Sequence, residues 1–469
     1  MSASAEIFVV SGPGPVHLHP CTELCLRLTR NGHRTTLVIP SRVSSAIPPS
    51  FASNPLVTVA PLAASFSHRK LISDPLNQSA VQDLSAHLEK RTAGSEVPRV
   101  LCAVADLKVW WTKEVFWKFD APVISFFTFG SRAAAMGLGW SRAQVSDTQH
   151  SGARLIRGLP EEMAVPYSDL KREPSGPPRG GPPGPSRRPG GGGGGPPKPG
   201  IEPTWVQKVK GSIGLMFNTC ADLEHPFLDY MGNQMEMPVW GVGPLLPEQF
   251  WNTSGSLISD REIRHVHKSS CTEDKVIQWL DGKPRRSVLY VAFGCEVGLD
   301  KEDLAELEAA LGESNRYFIW LIGSTRYGAD SSDRIKSKVD DRSVIIKGWA
   351  PQLLILSHPS TGGFLSHCGW NSTVEAIGLG VPLLAWPIIG DQHYNAKLVV
   401  SHLKVGYRVA EYMSQVVKKD EIVKGIERLM RDEEMHERAA SIKARFGHGF
   451  PSRSSAFDAF RDFIKRDFE

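Results

Sequence analysis

At 469 residues with 41% hydrophobic content, the chain is long enough to bury more than one core. Its 54 Lys+Arg against 50 Asp+Glu leave a formal net charge of +4, too small over this length to favour nucleic acid or a membrane surface, so a small-molecule partner is expected. No apolar run approaches membrane-spanning length, and Ile7 to Val10 is too short for a signal peptide, which predicts a soluble, cytosolic protein.

In chain order, short apolar runs at Ile7 to Val10, Thr35 to Ile39, Val100 to Val104 and Val123 to Phe127 alternate with helix-like stretches such as Thr22 to Arg30 and Trp110 to Phe119. That alternation predicts βαβ units. It resumes with strands Ser287 to Phe293, Tyr317 to Ile322, Ser343 to Ile346, Gly363 to Leu365 and Val381 to Ala385, a helix Lys301 to Leu311, and charged helices from Asp420 onward. Between the two series, Pro174 to Gly200 is so rich in Pro and Gly that it cannot bury enough apolar area to offset ordering, and is expected to be a disordered surface loop. The linker between domains is placed near Leu246 to Ser270, because the strand-like Ile213 to Phe217 and Val239 to Pro244 look like the end of the first domain.

Seven scattered cysteines form no CxxC pair and no cluster at metal-ligand spacing, so most are expected to be buried thiols. Sequons at Asn77, Asn252 and Asn371 would go unmodified in the cytosol. The turn Ser11-Gly12-Pro13-Gly14-Pro15 lacks the third glycine of a dinucleotide fingerprint, which argues against a dehydrogenase. It does set His17 and His19 at the start of a helix, where a neutral imidazole, with an ordinary pKa of ~6.5, can take a proton from a hydroxyl. Asp106, at the end of the Val100 to Ala105 run, can orient such a base and offset its charge, although an Asp at a strand end is also a common helix cap.

The stretch Trp349 to Gln392 carries most of the chemistry. Its FLSHCGWNS segment predicts a strand end, a small-residue turn and a helix beginning near Asn371, an anion-binding geometry for a diphosphate. His367, Asn371 and Ser372 add donors there, and Glu375 can accept from ribose hydroxyls. Trp349 offers a flat face for a base, while Asp391 and Gln392 follow the next strand and can bind sugar hydroxyls.

This stretch closely resembles the signature of the plant UDP-dependent glycosyltransferases of secondary metabolism, over its full length. The resemblance extends to Gly214 to Glu224 and Val276 to Cys295 and covers nearly all of the chain outside the Gly/Pro loop. It implies an α/β fold of two Rossmann-like parallel-sheet domains facing across a cleft, the GT-B type. Residues 1–245 would bind the acceptor, residues 246–450 the UDP-sugar, and a C-terminal helix in 451–469 would pack back on the first domain. By the resemblance, Trp349 stacks on uracil and the Ala350 backbone pairs with its edge. Gln352 and Glu375 hold the ribose; His367, Asn371 and Ser372 bind the diphosphate; Trp370, Asp391 and Gln392 contact the sugar. Thr128 lies near the donor phosphates. The family pattern sets the basic histidine three residues before proline, which selects His17 ahead of Pro20, with His19 as the alternative and Asp106 as its partner.

The resemblance further implies inverting transfer of glucose from UDP-glucose to a hydroxyl of a small plant-type metabolite, a flavonoid or other phenolic, by a monomer that needs no metal and no other cofactor. Trp370 with a terminal glutamine, Gln392, resembles the glucose-using members. Aromatic residues Trp110, Trp111, Trp117, Phe126, Phe127 and Phe129 are compatible with a flat acceptor, although such residues more often belong to a core, and the loops Ser65 to Ser79 and Gly137 to Pro166 would bind it. A terpenoid or hormone acceptor and C-glycoside formation stay open. One departure stands out: Cys295 replaces the usual serine after Phe293-Gly294, and it is a weaker donor to the diphosphate. The turn before His17 departs too, since Pro15-Val16 separate it from Gly14, and a catalytically weakened UDP-sugar-binding protein is therefore the second reading.

Overall fold

The computed structural model describes residues 6–62, 75–92, 99–142, 153–154, 156–159, 165–166, 201–252, 257–260, 269–294, 298–322, 340–410, 417–447 and 450–468. The Gly/Pro-rich loop 174–200, Cys295 and most of the expected acceptor loops lie outside these residues.

Within the first domain, strands β1 (Glu6–Val10), β2 (Arg34–Pro40), β3 (Val57–Leu62), β4 (Val100–Asp106), β5 (Val123–Phe127), β8 (Gly214–Phe217) and β9 (Val239–Gly241) form one sheet in the order β3-β2-β1-β4-β5-β8-β9. Two further short strands, β6 (Ala153–Arg154) and β7 (Val165–Pro166), pair antiparallel apart from it. In the second domain, β10 (Val288–Ala292), β11 (Tyr317–Ile322), β12 (Ser343–Lys347), β13 (Thr361–Ser366), β14 (Leu383–Ala385) and β15 (Gly406–Arg408) run in the order β12-β11-β10-β13-β14-β15. Every pairing in both large sheets is parallel. Helices cover both faces, and the central strands β1, β5 and β10 are buried along their whole length, so apart from Glu6 and Ser125 they read as apolar runs rather than alternating ones. In each sheet the strand order reverses beside the first strand, between β1 and β4 and between β10 and β13. Open α/β sheets bind ligands at that crevice, at the carboxyl ends of the strands.

Helix α1 (Pro15–Arg30) takes in the helix start expected at His17 and His19 together with the helix-like stretch from Thr22; Pro15 suits its first position because its φ is preset and it has no N–H to leave unpaired. The helix expected over Trp110 to Phe119 is split into a 3-10 turn, Leu107–Thr112, and a short helix, Lys113–Trp117, with Val109 off helical geometry. Trp111, Phe126 and Phe127 are fully buried in the core, so they are not part of an acceptor surface. Helices α2 (Ser131–Arg142) and α3 (Ala221–Met235) pack together beneath β5 and β8. The strand expected from Val381 begins at Leu383 instead: Val381 N–H bonds to Ala376 O at 2.9 Å, closing helix α4 (Trp370–Leu379) through left-handed Gly380.

The described part of the expected linker is packed. Leu246, Phe250 and Ile258 join the core of the second domain, and Trp251 Nε1 donates to Leu246 O at 3.1 Å. The chain then crosses back. Helix α5 (Pro451–Phe468) inserts Phe457, Phe460 and Ile464 into the first-domain core, with Phe460 edge-on to Trp240 at 5.4 Å. Arg27 of α1 ties this junction by donating to Val242 O at 2.8 Å and to Arg453 O at 3.1 Å.

Candidate active site

The crevice of the first sheet brings His17 and Asp106 together. Gly14, at φ +115, turns the chain from β1 into α1 and sets His17 on the first turn of the helix, while Asp106 ends the neighbouring strand β4. His17 Nδ1 lies 2.7 Å from Asp106 Oδ2. The same oxygen accepts from Gly12 N–H at 3.2 Å, and Oδ1 accepts from Lys108 N–H at 2.7 Å. Asp106 is 1% exposed, and one carboxylate both caps the 3-10 turn and holds the imidazole. As a carboxylate only accepts, the contact requires the proton on Nδ1 and leaves Nε2 as the basic nitrogen. Thr128 Oγ1 stands 3.1 Å from His17 Nδ1, so this residue meets the histidine. His19 lies two residues further along α1, on the wall of the interdomain cleft.

The crevice of the second sheet is built around the turn from β13 into α4. Cys368 there adopts φ +60, a left-handed conformation that costs a non-glycine residue roughly 1–3 kcal/mol. The first helical bond is Thr373 N–H to Gly369 O, at 2.9 Å, so the N–H groups of Trp370, Asn371 and Ser372 have no acceptor within the helix. His367 is packed between two glycines: a Cβ on Gly294 would lie 2.7 Å from its Nε2, and one on Gly369 would lie 2.5 Å away. Gly294 also has φ +75. Burial holds the His367 imidazole neutral, its pKa pushed down to about 4, and its Nδ1 has no hydrogen-bond partner among the described residues.

Around this turn, Gln352 Nε2 bonds to Glu375 Oε2 at 2.8 Å and to Ser372 Oγ at 3.2 Å, and Tyr290 OH donates to Gln352 Oε1 at 3.4 Å. Trp349 is half-buried and Ala350 buried, just before the helix that Gln352 starts. Asn371 reaches the other domain, donating from Nδ2 to Val16 O at 3.4 Å. Pro20 explains why that carbonyl is open, since a proline four residues on cannot supply the helical N–H.

Asp391 and Gln392 sit beyond β14. Asn395 Nδ2 donates to Asp391 Oδ2 at 2.9 Å, and burial raises the Asp391 pKa. Gln392 Oε1 accepts from the N–H groups of both Ile388 and Ile389 at 2.9 Å, which fixes the amide orientation and commits its oxygen, not its NH₂, to the protein. Trp370 is 4% exposed and its indole N–H donates to Asn218 O in the first domain at 2.8 Å, so the ring is wedged between domains and its backbone N–H lies at the open end of α4. Asn218 was not singled out in the sequence; a polar residue directly after the apolar run Gly214 to Phe217 is the signal that marks it. A solvent-open cleft of about 750 Å³ runs between the two domains, with Leu18, His19 and Glu23 on one wall and Asn371 and Glu375 on the other.

Two doubly wound sheets with their crevices facing one cleft, a His–Asp pair in one and a helix start with unpaired N–H groups in the other, define the two-domain GT-B fold. The family model "UDP-glucoronosyl and UDP-glucosyl transferase" matches residues 264–445. UDP-glucosyl transferase 73M2 of Saponaria officinalis is 32% identical over 371 residues, 73% of this chain and 69% of that protein. UDP-glycosyltransferase 73C6 of Arabidopsis thaliana is 31% identical over 398 residues, 80% of this chain and 72% of that protein. The match to UDP-glycosyltransferase 73C3 of the same plant is 41% identical but spans about half of each chain, 50% of this one and 49% of that one. Among solved structures, Medicago truncatula UGT71G1 complexed with UDP-glucose superposes with a TM-score of 0.74 at 22% identity, covering 98% of both chains. Glycyrrhiza uralensis UGT73P12, complexed with glycyrrhetinic acid 3-O-monoglucuronide, gives 0.74 at 24% identity over 99% of this chain and 96% of that one. The chain belongs to the plant UDP-glycosyltransferase family.

Proposed function

We propose that the protein transfers glucose from UDP-glucose to a hydroxyl of a small secondary metabolite, a flavonoid or other phenolic, with inversion at the anomeric carbon. The observation that carries this reading is the His17 Nδ1 to Asp106 Oδ2 contact of 2.7 Å, which sets the basic Nε2 of His17 for proton abstraction. The acceptor oxygen gives its proton to His17 Nε2 and bonds to the anomeric carbon as the bond to the UDP oxygen breaks, so an α-linked donor yields a β-glucoside. Asp106 offsets the imidazolium that forms.

The departing diphosphate is met by the unpaired N–H groups at the start of α4, against which the neutral His367 ring is packed. The stabilisation comes from protein donors, and the proposal includes no metal. Gln352 and Glu375 take the ribose; Asp391 and the uncommitted Gln392 NH₂ take sugar hydroxyls; Trp349 and Ala350 take the uracil. Six described cysteines are free and no helix among the described residues is long and apolar enough to cross a membrane, which supports a cytosolic location. A monomer is the proposed state.

The weakened-binder alternative rests on the altered turn before His17 and on Cys295. The turn still delivers His17 to Asp106, which favours the enzyme. The test is a mass-spectrometric screen of UDP-glucose and UDP-galactose against phenols and triterpenoids, with and without a chelator. Glucoside formation that His17→Ala abolishes while UDP binding persists supports the proposal; heat of UDP binding with no product from any acceptor defeats it.

A further inference from the structure

We propose that Asn218 is a positioning residue that registers the donor-binding helix α4 on the catalytic base. This rests on the reading of His17 as that base. Asn218 is 1% exposed and lies immediately after β8, and it spends four polar atoms on four partners. Its N–H donates to Phe127 O at 2.9 Å, and its Nδ2 donates to Thr128 O at 3.2 Å. Its Oδ1 accepts from Leu245 N–H at 2.6 Å, and its backbone O accepts the Trp370 indole at 2.8 Å.

The consequence is a short mechanical chain. Trp370 is the first residue of α4, whose open end faces the diphosphate, and Thr128 touches His17 Nδ1 at 3.1 Å. Asn218 therefore joins the end of the donor helix to the side chain beside the base, and Leu245, where the first domain hands over to the second, is tied to the same amide. Gly130 accommodates this wedge: a Cβ there would lie 2.7 Å from the Trp370 ring. Trp370 accordingly acts through the first domain by its ring, a role separate from any contact with the sugar. A misplacement of about 1 Å between base and donor costs on the order of 100-fold in rate, so a link of this kind governs turnover rather than donor affinity.

The test uses Asn218→Ala, Trp370→Phe and the double variant in the full chain, with UDP binding measured by calorimetry and kcat expressed per UDP-binding site. Each single variant is expected to lower kcat by roughly 10- to 100-fold, with the UDP Kd and the KM for UDP-glucose changed by less than about threefold. The double variant should fall little below the worse single, since both act through one link. A purely structural role would reduce the fraction of UDP-binding protein and leave kcat per site unchanged, which overturns the proposal, as do additive losses in the double variant. Should Asn218→Ala not fold, Trp370→Phe, which keeps an aromatic ring in the wedge but removes the indole N–H, decides alone: unchanged kcat, or a raised KM for UDP-glucose at unchanged kcat, overturns it. Parallel assay of His17→Ala separates the two readings, because normal turnover there defeats the base assignment, whereas a dead His17→Ala beside undiminished Asn218→Ala and Trp370→Phe defeats only this inference.

Discussion

Replacing Asp106 by Asn tests the orientation of the base with almost no change in volume. The carboxylate accepts three N–H groups, two at Oδ2 from His17 and Gly12 and one at Oδ1 from Lys108. An amide offers one oxygen and one NH₂. With NH₂ in the Oδ2 position, two donors oppose it, and His17 relieves the conflict only by moving its proton to Nε2, which removes the base. With NH₂ in the Oδ1 position, the Lys108 N–H loses its acceptor at a cost of about 1–3 kcal/mol, and the forming imidazolium loses its counter-charge. Both outcomes lie on the path to turnover, so kcat should fall by roughly 10²- to 10⁴-fold, or about 3–5 kcal/mol at ~1.36 kcal/mol per decade. The UDP Kd should stay within about threefold, because the groups proposed to bind UDP stand on the other domain. Initial rates of UDP release with the best acceptor, beside calorimetric UDP titration, measure both. A variant that retains kcat within about tenfold of the parent refutes the reasoning.

Gly294→Ala sets a Cβ 2.7 Å from His367 Nε2 at φ +75, so it should destabilise the fold by at least about 1–3 kcal/mol and weaken UDP binding; thermal melts and calorimetry read both, and an unchanged Kd would sink the placement of His367. His367 links stability to pH. Its folded pKa of about 4 lies below the ~6.5 of an unfolded imidazole, so its contribution is whole above pH ~6.5 and is lost as pH falls toward about 4, up to roughly 3 kcal/mol. His436 is lowered too, so His367→Gln should flatten only part of the decline in urea midpoint between pH 7 and 4.5; an identical decline in the variant contradicts the burial argument. Ending the chain after Phe450 removes Phe457, Phe460 and Ile464 from the first-domain core, each at about 1.5–3 kcal/mol, a sum comparable to the whole stability of a domain. Such a truncation should leave the protein insoluble, and soluble, UDP-binding material would show that α5 is dispensable.

Much of the site was legible because its parts follow local rules. A strand, a small-residue turn and a helix start place unpaired N–H groups wherever they occur, so Gly363 to Glu375 could be read as an anion site from order alone. His17 could be selected over His19 only through the family pattern, and their positions differ by two steps around α1. What separates them is Asp106, 89 residues away, whose Oδ2 lies against His17 Nδ1. The stretch from Trp110, expected as one helix, splits because the Asp106 side chain caps a separate 3-10 turn through the Lys108 N–H, a partner that the local pattern does not announce. Trp111, Phe126 and Phe127 could be read as core or as acceptor surface because hydrophobicity does not say which face of an element is covered, and the structure buries all three.

The sequence by itself determined the two parallel-sheet domains and the strand-turn-helix proposed to bind the donor, because apolar runs, glycines and helix starts act over a few residues. The tertiary structure alone decided how the halves meet. Val16 O is opened by Pro20 but filled by Asn371, and the Trp370 indole finds Asn218 O across the domain boundary, 152 residues away in the chain. Such pairings depend on where two independently formed sheets come to rest, and no local pattern encodes that distance.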